Sequence, residues 1–183
     1  MTDWQGILGT PTPPRLTLVL GGARSGKSRL AEALTRACDA AATPVYVATA
    51  EAWDDEMRDR IAQHRHDRGA HWTTVEAPQA LPEAIHTAPD APLLVDCLTL
   101  WLSNRLLAEQ DLAADRADLI AALGERRQPA VLVSNEVGFG IVPDNALGRR
   151  FRDAQGTLNQ QVAAVADCAI LVTAGLPLVL KRP

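Results

Sequence analysis

The apolar run Leu16-Thr17-Leu18-Val19-Leu20 leads directly into Gly21-Gly22-Ala23-Arg24-Ser25-Gly26-Lys27-Ser28 and then into the helical pattern Arg29-Leu30-Ala31-Glu32-Ala33-Leu34. A G-x-x-x-x-G-K-S stretch between a strand and a helix N-terminus constrains the fold strongly. Glycines let the backbone curl around phosphate oxygens, while exposed N–H groups and the helix dipole supply positive potential. Lys27 can bridge the β and γ phosphates, and Ser28 is placed to ligate Mg²⁺. Lys27 is also one of only two lysines, the other being Lys181, against 16 arginines. The alternative, a glycine-rich turn that matches by chance, would not need both motif and context.

The rest of the chain repeats this alternation. Runs 45–48, 92–96, 130–134 and 169–173 are continuous and apolar, the pattern of strands covered on both faces. Helical spacing lies between them at about 27–39, 53–68, 98–108, 112–127 and 146–166. The expected fold is therefore α/β, a P-loop NTPase-like (RecA-like), mostly parallel sheet flanked by helices. Leu176 to Leu180 follows Ala174-Gly175 too closely for a crossover helix, so it is expected as an antiparallel C-terminal edge strand.

At 183 residues the chain suits one domain, expected over 16–183. Residues 1–15, proline-rich from Pro11 to Pro14, read as a flexible leader outside the fold. A net charge of −4 argues against a general nucleic-acid surface but not against a basic pocket. Three cysteines without metal spacing, and no apolar run of membrane-spanning length, give a cytoplasmic reading.

Asp96 closes the buried run Leu93-Leu94-Val95, the place of the carboxylate that orients the Mg²⁺ water shell in P-loop enzymes. Its alternative is a cap on the next helix. On the 53–68 pattern, Trp53, Met57, Ile61 and His64 share one stripe, with Arg60 and Arg68 a turn away on either side. His64 is either a half-buried core histidine or a nucleophile that attacks phosphorus; spacing alone does not choose. His66 points to the opposite side and His86 reads as surface. Glu76 ends a short strand-like run and would reach nucleotide or metal, or pair with an arginine. Asn135 and Glu136 follow a core strand at the carboxyl edge where ligand crevices form. Glu136 would accept a substrate proton or brace the glycine loop. Arg149, Arg150 and Arg152 would pair with acids at a subunit contact or bind substrate phosphate.

Taken in order, GGARSGKSRLAEAL, VYVATA, DDEMRDRIAQHRHDRGAHWTTVEAP, LLVDCLTLW and SNEVGFGIVPDNALGRRFRDAQGTLNQQVAAVAD resemble the bifunctional adenosylcobinamide kinase / adenosylcobinamide-phosphate guanylyltransferase family of cobalamin biosynthesis. The resemblance spans about Leu16 to Lys181, and its specificity lies in the segments beyond the P-loop. It implies two reactions on one fold. A nucleoside triphosphate, ATP or GTP, phosphorylates adenosylcobinamide; GTP then guanylylates a histidine, and GMP passes to the cobinamide phosphate with loss of pyrophosphate. The matching histidine is His64. The GTP contacts implied are Gly21 to Ser28, Ala48-Thr49-Ala50, Arg65, His66, Asp67 and Arg68, Glu76, and the strand-end acid Asp96. Asp96 is one methylene shorter than the glutamate common at that place, so its contact could run through water. The resemblance further implies a homotrimer. The competing readings are a kinase that lacks the guanylyl step and a nucleotide-dependent binding switch; the switch lacks the N-K-x-D motif that reads guanine.

Overall fold

The computed structural model describes residues 3–51 and 71–183. Seven strands, β1 (Leu16–Gly21), β2 (Val45–Ala48), β3 (Thr73–Glu76), β4 (Leu93–Asp96), β5 (Ala130–Asn135), β6 (Cys168–Thr173) and β7 (Leu176–Lys181), form one sheet in the order β3-β2-β4-β5-β1-β6-β7. All neighbours pair in parallel except β6 with β7. The expected P-loop fold class and its antiparallel edge strand are both observed. The turn that reverses the chain uses Ala174 at φ 53° and Gly175 at φ 78°, the two left-handed positions of a tight hairpin.

Alternation along the strands divides the core between the two faces of the sheet. Leu16, Leu18 and Leu20 of β1, with Val45, Val47, Leu93, Val95 and Leu132, pack under α3 (Leu81–Thr87), α4 (Leu98–Leu107), α5 (Leu112–Glu125) and α6 (Ala146–Val165). Val19, Tyr46, Leu94, Val131, Val133 and Ile170 face α1 (Trp4–Leu8) and α2 (Lys27–Arg36) instead. Both faces being covered explains why these strands read as uninterrupted apolar runs. A two-pronged ion pair, Arg105 to Asp115 at 2.9 and 2.7 Å, ties α4 to α5.

One expectation needs correction. The first residues are not outside the fold: Asp3 caps α1 by accepting from the Gly6 N–H, Gly9 ends it at φ 77°, and Trp4 is 1% exposed within the core on the α2 face. Burying an indole outweighs the loop-forming tendency of the prolines that follow. His86, read as a surface residue, is exposed on α3, 3.4 Å from Glu125. Pro82 in the first turn and Glu83 beside it were the available start signals.

Candidate active site

The phosphate loop runs from the end of β1 to the first turn of α2. Arg24 at φ 56° and Gly26 at φ 94° turn the backbone back on itself, the geometry in which successive N–H groups converge on an anion. The Lys27 ammonium folds over the loop and donates to the Gly22 carbonyl at 3.1 Å. Two neighbours hold the loop from outside. The Gly175 N–H donates to the Ser25 carbonyl at 2.9 Å, so the β6–β7 turn supports it, and the Glu136 N–H donates to the Gly21 carbonyl at 3.2 Å. Gly21 has no room for a side chain, because a Cβ there would meet Ser25 Oγ and lie 2.7 Å from the Val172 carbonyl.

Three other predicted residues fall into one row. Ala48 of β2 pairs with Glu76 of β3 on one side and Asp96 of β4 on the other. By strand alternation this row shares the face of Tyr46 and Leu94, the face that α2 covers. Asp96 therefore looks toward the helix that carries Ser28. Its carboxylate accepts from the Tyr46 hydroxyl at 3.0 Å, and the Tyr46 ring meets Trp72 edge-on with centroids 5.7 Å apart. The capping alternative for Asp96 is not observed, since Cys97 is the N-cap of α4 and no side chain caps it. Burial pushes the Cys97 thiol up to about 12; the adjacent Asp96 charge adds to the rise and the Lys27 charge opposes it. The P-loop lysine and the strand-end acid thus act on the same locality.

Ser28 and Asp96 offer a hydroxyl and a carboxylate, hard oxygen donors of the kind Mg²⁺ accepts when phosphates and water complete its shell. Among the described residues no cluster of three or more His, Cys, Asp or Glu could hold a metal by itself. The donor set fits a cation delivered with a nucleotide.

Beyond β2, Thr49 is fully buried. Its hydroxyl donates to the Cys97 carbonyl at 2.7 Å and accepts from the Cys97 N–H at 2.8 Å. On the far side of the P-loop, the Glu136 carboxylate accepts from the Gly138 N–H at 2.7 Å, the bracing contact anticipated as one of its two readings. Arg149 donates to the carbonyls of Pro143 and Asp144, and Arg152 pairs with the neighbouring Asp153 at 3.0 Å. Both are engaged locally. His64, Arg65, His66, Asp67 and Arg68, with Arg60, lie outside the described residues.

Several contributors lie outside the motifs that the sequence offers. The buried Gln155 donates to Ser134 Oγ and Asn159 Oδ1, both at 2.9 Å, and Asn159 donates to the Asn135 carbonyl at 3.1 Å. The Asn135 N–H donates to Thr99 Oγ1 at 2.8 Å. The backbone at the end of β5 is therefore held from two helices. Gln155 and Asn159 interrupt the apolar stripe of α6 at i and i+4, a polar intrusion that could have marked them.

Residues 17–180 match the protein family described as cobinamide kinase / cobinamide phosphate guanyltransferase. The bifunctional adenosylcobalamin biosynthesis protein CobP of Pseudomonas aeruginosa is 49% identical over 90% of this chain and 96% of its own length. The corresponding CobU protein of Escherichia coli is 42% identical over 91% of this chain and 99% of its own length. Among solved structures, flagellar accessory protein FlaH from Methanocaldococcus jannaschii superposes with a TM-score of 0.56 at 12% identity, covering 97% of this chain and 83% of that one. A KaiC-like protein from Pyrococcus horikoshii gives 0.53 at 15% identity, covering 92% and 76%. These two resemble this chain in fold alone.

Proposed function

The chain belongs to the cobinamide kinase / cobinamide phosphate guanyltransferase family, and from that premise we propose how its residues divide the work. The protein phosphorylates cobinamide and transfers GMP to the cobinamide phosphate in cobalamin biosynthesis. In our reading the natural substrate is the adenosyl form, ATP or GTP supplies the phosphoryl group, and GTP supplies the guanylyl group.

The observation that carries the reading is the phosphate loop with Lys27 folded over it, beside a strand end that presents Asp96 on the same face. Lys27 and the loop N–H groups hold the triphosphate and offset charge as the phosphoryl group moves. Ser28 and Asp96 would hold Mg²⁺, which supplies charge neutralisation at the phosphates. Ala48, Ala50 and Glu76, farther from the loop, contact the remainder of the nucleotide, while the buried Thr49 holds the strand ends behind them through its bonds to Cys97. Glu136 accepts the proton of the substrate hydroxyl in the kinase step.

In the second reaction His64 attacks the α-phosphorus of GTP through a neutral imidazole nitrogen, the bond to pyrophosphate breaks, and a guanylyl-histidine forms. The phosphate oxygen of cobinamide phosphate then attacks the same phosphorus and the imidazole leaves. This route avoids bringing two anions together directly. Arg65 and Arg68 lie beside His64 in the sequence and would offset charge on the reacting phosphates. We assign the work to the cytoplasm and to a homotrimer; among the described residues no helix is long and apolar enough to cross a membrane.

The test is incubation with Mg²⁺ and GTP labelled on the α-phosphate. An acid-labile adduct should form on the wild type, pass to cobinamide phosphate, and be missing from His64→Ala, while that variant still phosphorylates cobinamide. Equal labelling of His64→Ala would remove the histidine from the mechanism.

A further inference from the structure

Asn104 sits in the second turn of α4, 4% exposed, and it divides one amide group between two separate loops. Its Nδ2 donates to the Thr49 carbonyl and to the Pro78 carbonyl, both at 3.0 Å. One turn earlier the fully buried Trp101 donates from Nε1 to the Gln79 carbonyl at 3.0 Å. Gln79 reaches back to Glu51 at 3.4 Å, closing the circuit between the loop after β2 and the loop after β3. Thr49 adds its two bonds to Cys97 at the end of β4. Two side chains of a single helix thus set the spacing of three strand ends.

These loops stand away from the phosphate loop. The sheet order places β2 three strands from β1 and β3 four strands from it, roughly 14 and 19 Å at about 4.8 Å per strand. A triphosphate gripped at Lys27 meets them only with its other end. The phosphate loop hangs on different partners, Gly175 and Glu136, so the two ends of the crevice are held independently. The same clasp also fixes Glu51, one edge of the stretch of sequence that contains His64.

We infer that Asn104 is a positioning residue for guanylyl transfer, whose buried amide holds the loops after β2 and β3 in the register that seats the nucleoside end of the nucleotide. The inference rests on the reading above, in which Ala50 and Glu76 contact the nucleotide. A backbone carbonyl cannot be replaced by mutation, but its donor can. Asn104→Leu keeps the volume and leaves the Thr49 and Pro78 carbonyls without their partner, so the loops lose their common anchor. Misplacement on the scale of an ångström costs up to about a hundredfold in rate.

The experiment compares the full-length wild type with Asn104→Leu in two measurements below the unfolding temperature. The first is kcat/KM for GTP in guanylyl transfer, expected to fall about ten- to hundredfold. The second is binding of inorganic tripolyphosphate with Mg²⁺, a probe of the phosphate loop alone, expected to stay within about twofold because that end is held separately. Parallel loss of both, or loss of neither, overturns the inference. If Asn104→Leu does not fold, Trp101→Phe replaces it; that variant keeps an aromatic ring, removes the bond to Gln79 together with part of the buried indole, and must show the same split in smaller degree. Glu76→Gln separates the underlying reading from the inference. If that variant uses GTP like the wild type while Asn104→Leu is impaired in both measurements, the inference fails. If Glu76→Gln is unaffected and Asn104→Leu shows the split, the clasp stands and Glu76 is removed from the nucleotide contacts.

Discussion

The Tyr46 hydroxyl donates to the Asp96 carboxylate at 3.0 Å, reaching forward from β2 to the end of the adjacent β4. Tyr46 is 5% exposed and its ring meets Trp72 edge-on, so the phenol has little freedom to turn away. One carboxylate oxygen is thereby fixed, on the face of the sheet that α2 covers. Removing such a partner from a metal-orienting carboxylate typically costs about ten- to a hundredfold in metal affinity. Tyr46→Phe keeps the ring and should raise the apparent Mg²⁺ requirement of nucleotide binding by roughly tenfold, with a stability loss of only about 1 kcal/mol. A Mg²⁺ titration followed by nucleotide fluorescence would test this; an unchanged midpoint would detach Tyr46 from the site.

Gly21 and Lys27 separate the shape of the phosphate loop from its charge. A methyl at Gly21 would press on Ser25 and on the Val172 carbonyl, and overpacking of this kind costs about 1–3 kcal/mol. Gly21→Ala should lower the melting temperature and weaken nucleotide binding together. Lys27→Ala should leave the melting temperature near the wild type and abolish cobinamide phosphorylation. Normal turnover in Lys27→Ala would contradict the assignment of the loop.

Trp4 tests whether the start of the chain belongs to the fold. Its indole belongs to the buried cluster that includes Val19, Leu30, Leu34 and Ile170, and truncating a buried aromatic side chain costs about 3–5 kcal/mol. Trp4→Ala should therefore shift the urea midpoint strongly, whereas Gln5→Ala on the exposed side of the same helix should not. Equal midpoints for the two variants would return residues 1–15 to the status of a leader.

The three thiols predict alkaline behaviour. Burial pushes Cys38 and Cys168 up to about 11 and Cys97 up to about 12, from an ordinary 9.0. Between pH 9 and 12 the unfolded chain has shed protons that the folded chain keeps, so the folded state binds more protons. Stability must fall as pH rises through that window. Below pH 9 all three remain protonated in both states, and iodoacetamide should react slowly with the native protein at pH 8. Fast alkylation of Cys97 at pH 8 without unfolding would be the contrary result. Cys97→Ala should flatten the alkaline limb of a denaturation series.

The sequence by itself determined the alternation of strands and helices along the chain, the phosphate loop and the antiparallel last strand. Each is written locally: an apolar run shows double burial, glycines beside a lysine show a phosphate cradle, and two residues between runs leave no length for a crossover. Asp96 was legible for the same reason, as an acid at the end of a buried run. The resemblance of the segments around His64 and Asn135 to a known family carried the chemistry further than spacing could.

The tertiary structure alone decided what depends on residues far apart in the chain. Trp4 reads as part of a leader until the sheet provides a surface to bury it. Lys181 has no motif, yet its ammonium donates to the carbonyls of Ala163 and Ala164 at the end of α6, where unpaired carbonyls and the helix dipole favour a cation. The second lysine is thus explained by packing and the first by phosphate. Tyr46 with Asp96, and Asn104 with Thr49 and Pro78, are separated by 26 to 55 residues. Neither pair leaves a periodic or compositional trace, because the bonds link a side chain to backbone or to a single atom across strands whose adjacency exists only after the chain has folded.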